Sequence, residues 1–108
     1  MDTPTLADVN IRGVAHRLIE KRLRRNSENL KQLQTELTLL DEQLDALRDD
    51  ANDKEMRSLV SETPLALHEY RDAQKHVEAL LEHRDFLLRA IAEQTRNQDD
   101  LLDRLGKN

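Results

Sequence analysis

Cysteine is absent from the 108 residues, which removes disulfides, thiolate nucleophiles and cysteine-based zinc sites. Aromatic residues are almost absent as well, with one Tyr, one Phe and no Trp. A compact globular core normally recruits more aromatic area than that. Only two Gly and two Pro punctuate the chain, which leaves room for few secondary-structure elements. No apolar run approaches the roughly 18 to 20 residues that span a bilayer, and the N-terminus lacks a signal-peptide core. These absences predict one cytoplasmic domain that does not insert into a membrane.

What remains is rich in charge, at 36%, and in leucine placed at regular intervals. Leu23, Leu30, Leu37 and Leu44 recur every seven residues, and Leu33, Leu40 and Leu47 fill the intervening positions. Such spacing draws one apolar stripe along a helix, and the stripe needs a partner helix to cover it. It also argues against disorder in so polar a chain. Asn26 is the one polar residue inside that run. A seam Asn commonly fixes register and oligomeric state at some cost in stability. Upstream, Leu6, Val9, Ile11, Val14, Leu18 and Ile19 are less regular, and Gly13 weakens the helix by about 1 kcal/mol relative to Ala. Helix one is therefore expected over about residues 5–50, with a kink or frayed start before Gly13.

A break is expected at residues 51–63, where Asn52 and Asp53 favour a turn and residues 54–60 have room for a short helical turn. Thr63-Pro64 is the sharpest local signal: Thr as N-cap and Pro at the first helical position open a second helix. That helix is expected over about 64–105, with Gly106 as its stop. Tyr70, Ala73, Val77, Leu80, Leu87, Ile91, Leu101 and Leu105 form its inward face, and leucines at 67, 81, 88 and 102 widen it. The expected fold class is all-α: an antiparallel coiled-coil helical hairpin, dimerising into a four-helix bundle through the widened face. Arg84 falls inside the second stripe. An antiparallel register places it near Asn26 or Glu28, to pair there or to run its stem over the leucines.

The net charge of −5 conceals two opposed segments. Residues 12–25 hold six Lys or Arg against Glu20 alone, and residues 41–55 hold seven acids against Arg48 and Lys54. Arg17, Arg24 and Lys31, with Lys21 and Arg25 beside them, make a basic stripe outside the seam, suited to an acidic protein surface or to phosphates. No aromatic residues interleave with it, so base stacking and sequence-specific reading of nucleic acid are not expected. Folding back at 51–63 places Asp45, Asp49, Asp50, Asp53 and Glu55 at an acidic tip.

A helical hairpin with Asp50 and Asp53 in the tip segment Asp-Ala-Asn-Asp-Lys-Glu resembles the secondary-channel factors of bacterial RNA polymerase, the Gre and DksA type. That resemblance implies carboxylates delivered by a coiled-coil tip to the vicinity of the catalytic magnesium. The chain departs from both families, because it has neither a C-terminal β domain nor zinc-binding cysteines. Elsewhere the chemistry is sparse. His16, His68, His76 and His83 are scattered, and His76 and His83 lie roughly 10 Å apart along a helix axis, too far to share one ion. Only across a dimer interface would Glu82 and His83 meet a metal. No Ser or Thr stands beside an evident base, and two helices offer no deep pocket. The sequence therefore predicts a non-catalytic adaptor, scaffold or regulator without cofactor or metal, a homodimer that binds protein partners. Secondary-channel regulation and weak non-specific nucleic-acid binding are the alternatives.

Overall fold

The computed structural model describes the backbone of residues 6–107 and the side chains of residues 11–107. It contains two helices, α1 (Leu6–Ser61) and α2 (Pro64–Gly106), and among the described residues no strand. The fold is an all-α helical hairpin. Close contacts divide it into two units. One joins α1 up to Leu33 with α2 from Ile91, and the other runs from Gln34 to Ala90 through the turn.

The seven-residue grid accounts for which side chains are covered. On α1 the buried or half-buried residues between His16 and Ser58, apart from Asp41, fall on alternating steps of three and four, with Leu30, Leu40, Leu44 and Ala51 buried. On α2, apart from Ala90, the same alternation runs from Ala66 to Leu105, with Ala73, Val77 and Leu87 buried. All the expected seam residues, from Leu23 to Leu47 and from Tyr70 to Leu101, lie on these two lines. The lines are narrow, as in a coiled-coil seam rather than a globular core. In the unit closed by the turn, Leu44, Ala51, Ala73 and Val77 form one cluster, flanked by Leu47 and Leu80.

The connection is much shorter than the sequence suggested. Residues 51–61 continue α1, and only Glu62 and Thr63 lie between the helices. The seam explains why. Ala51, Lys54 and Ser58 take the next three grid positions after Leu47, so the helix keeps facing α2 beyond its last seam leucine. Asn52 and Asp53 are exposed on that helix, where their weak turn preference, worth under about 1 kcal/mol, is outweighed. Two polar seam residues satisfy themselves locally. Ser58 Oγ donates to the Glu55 carbonyl at 2.7 Å, and Lys54 Nζ pairs with Asp50 at 3.0 Å.

α1 stops because Glu62 adopts φ 53°, the left-handed region, while its N–H still reaches the Ser58 carbonyl at 3.2 Å. Glycine is the usual occupant of that position, since a Cβ there costs roughly 1–2 kcal/mol. Glu62→Gly is therefore expected to stabilise the hairpin by about 1 kcal/mol. Urea denaturation followed by circular dichroism measures it, and a loss of stability would contradict the strain at this residue. Thr63 then caps α2 as expected: its Oγ1 accepts the Ala66 N–H at 3.2 Å, and its carbonyl accepts that of Leu67 at 3.1 Å. At the far end Gly106 is the last residue of α2, and it does not take the left-handed conformation expected of a stop. α1 begins at Leu6, upstream of Gly13, so the helix runs through that glycine.

Candidate functional site

In each unit a polar contact crosses from one helix to the other. In the unit formed by the chain's two end segments, Asn26 is buried (6% exposed) and its Nδ2 donates to the Gln94 carbonyl at 2.9 Å. In the other, Arg84 Nε donates to Asp41 Oδ1 at 2.8 Å. Arg84 thus pairs, but with Asp41 rather than near Asn26 or Glu28. The register set by the short turn displaces the expected pairing by several helical turns. Both partners are more than a third exposed, so the pair contributes at most about 1 kcal/mol.

The acids do not sit at the bend. Asp45, Asp49, Asp50, Asp53 and Glu55 all lie on α1, exposed, and at 100° per residue they fan around its outer side rather than converging. Asp50 is engaged by Lys54 one turn on. The bend itself is Glu62 and Thr63, and the exposed side chains beside it are apolar: Leu59, Val60 and Leu65 have exposures of 66%, 81% and 67%. Because α1 extends to Ser61, these acids and the reversal point are separated by about two to five turns of helix.

Most of the basic stripe lies on one side of α1. Arg17, Arg24 and Lys31 share one line of α1 with Lys21 beside it, all exposed. Arg25 belongs elsewhere. It lines a groove of about 310 Å³ together with Arg22 of α1 and Arg104 of α2, among Asn26, Asn29, Asn97 and Asp100. Arg104 also stands in the last turn of α2, where a cation offsets the helix dipole. Sequence reasoning missed this groove because Arg22 and Arg104 are far apart in the chain, and only the antiparallel register brings them together.

The histidines have nearby uses. His16 and His68 face Glu20 and Asp72 one turn along their own helices, at 3.2 and 3.5 Å, and His83 stacks on Phe86 with ring centres 6.2 Å apart. Among the described residues, no three of His, Asp and Glu are grouped so as to hold a metal ion. No helix among the described residues is long and apolar enough to cross a membrane.

The chain matches no protein-family model, no curated protein and no solved structure. What can be said of its role therefore rests on the surfaces. The most organised of these is on α2. Leu67, Leu81 and Leu88 lie one position outside the seam line in the unit closed by the turn, each 39–40% exposed. Leu102 takes the same position in the other unit and is 49% exposed. The flanking positions of α1 carry Gln34, Asp41, Arg48 and Glu55 instead, so the apolar row belongs to α2 alone.

Proposed function

We propose that the chain is a non-catalytic interaction module that self-associates through α2 and offers its remaining helical faces to protein partners. The leucine row of α2 carries this reading. One exposed leucine needs no explanation, but leucines at multiples of seven beside an already formed seam repeat the pattern of a coiled-coil interface. The bundle expected from the sequence, in which a second hairpin covers this row, remains the assembly this surface fits best. Three leucines already 60% covered supply only part of the roughly 800 Å² per partner of a standard interface, so micromolar self-association is expected.

Sedimentation equilibrium tests the proposal. The natural chain is expected to dimerise in the micromolar range, and Leu81→Lys with Leu88→Lys to leave it monomeric with its helix content intact. A natural chain that stays monomeric up to about 100 μM removes the reading.

Regulation through an acidic tip in the polymerase secondary channel has less support. Asp50 and Asp53 sit on the flank of α1, and the bend presents a single carboxylate, Glu62, beside Leu59, Val60 and Leu65. The protein-contact role of Arg17, Lys21, Arg24 and Lys31 is kept within the module reading, as the charged face that would orient a partner.

A further inference from the structure

We infer that the groove lined by Arg22, Arg25 and Arg104 binds a small oligophosphate anion. Three arginines from two helices line it, with a single carboxylate, Asp100, among the lining residues. Among the described residues, none of the three arginines has a carboxylate within 4.0 Å, although acids are more numerous than bases in the chain. Only Arg84, with Asp41, and Arg89, with Asp85, have such a partner among the described arginines, so what sets the groove apart is that three cations line one depression rather than that each lacks an acid. Three like charges gathered in one groove repel one another, and a polyanion is the ligand that reverses that cost.

The donor set fits phosphoryl oxygens. Each guanidinium presents a planar fork that matches two phosphate oxygens at once, which an ammonium cannot do. Asn29 and Asn97 add neutral amide donors to the wall. Three arginines against Asp100 leave an excess of two positive charges, so a multiply charged chain of phosphoryl groups gains more than a single phosphate. The volume of about 310 Å³ lies at the lower end of small-molecule sites, large enough for a triphosphate with part of its hydration.

A nucleic-acid backbone suits the groove less well. A backbone needs cations along a track, and Arg17, Arg24 and Lys31 lie on a different line of α1 from Arg22 and Arg25. Tyr70 and Phe86, the two aromatic residues, both belong to the other unit, and no aromatic side chain lines the groove to give a base a stacking platform.

Calorimetric titration of the full chain with inorganic tripolyphosphate, without divalent cations and at low salt, tests this site, and circular dichroism verifies that each variant folds. Saturable binding is expected, weakened about tenfold or more by Arg25→Gln with Arg104→Gln. Asp100→Asn is expected to tighten it by a few-fold, since it removes the one opposing charge. Arg17→Gln with Arg24→Gln changes the net charge equally but lies outside the groove, and is expected to leave affinity within about twofold. Failure to saturate, or equal weakening by both double substitutions, overturns the proposal. Tighter binding of a single-stranded oligonucleotide that depends on Arg17 and Arg24 overturns it too, in favour of a diffuse backbone contact.

Discussion

Leu87→Ala is expected to remove about 3 kcal/mol of stability, the largest loss from any single truncation of a described side chain. Leu87 is only 1% exposed, the most completely covered large side chain in the protein. The nearby Asp41–Arg84 contact brings it level with Leu37 and Leu40 of α1. Truncation removes both the transfer energy of the lost methyl groups and the contacts around the resulting hole, because a narrow seam has no second layer to collapse inward. Small proteins possess only about 5–15 kcal/mol in all, so a large share is at stake. Leu39→Ala is the internal comparison: at 55% exposed, its loss is expected to stay within about 0.5 kcal/mol. Urea titrations of both variants at one protein concentration decide the matter. Equal losses would mean that the seam is not where the stability resides.

The leucine spacing made the seam legible in advance, because a period of seven in so polar a chain has few other structural meanings. Thr63-Pro64 marked the start of α2 for an equally direct reason: a hydroxyl cap and a residue lacking an N–H fit that one helical site. The turn was misplaced because its two signals were of unequal kind. Asn52 and Asp53 are ordinary turn formers, whereas the true reversal uses Glu62, which has no preference for the left-handed conformation it adopts. Continuing the grid past Leu47 to Ala51, Lys54 and Ser58 was the available clue, hidden because none of those residues is a large apolar side chain. The misplaced turn then carried the acids to the wrong place. The arginine groove had no local signature at all, since its members come from residues 22–29 and 97–104 and meet only through pairing. Local chemistry reads caps and stripes, while sites built across two helices depend on register, and register here was set by a turn of two residues.

Asn26→Leu is expected to raise stability by about 2 kcal/mol while weakening the specificity of pairing. Asn26 is the one buried polar residue among those described, and its amide spends one hydrogen bond on the Gln94 carbonyl. A hydrogen bond returns about 1 kcal/mol net, against a desolvation cost of similar or larger size for the buried amide. Leucine at this grid position removes that cost and adds apolar burial, and the Gln94 carbonyl lies within α2, where the helix supplies a backbone donor. For a chain of this size the gain corresponds to a melting temperature roughly 8–16 °C higher. The amide's contribution is therefore to direction rather than to strength. Its acceptor is a main-chain carbonyl, and a register in which a seam leucine or isoleucine stands between Asn26 and the α2 backbone would leave the amide buried without a partner. With leucine in its place, shifted or exchanged pairings lose that penalty. Thermal melts together with cysteine-pair cross-linking across the seam separate the two effects. A higher melting temperature with several cross-linked registers is the expected result. A lower melting temperature with one register retained would show instead that the amide stabilises the pairing outright, and that the leucines alone are enough to align it.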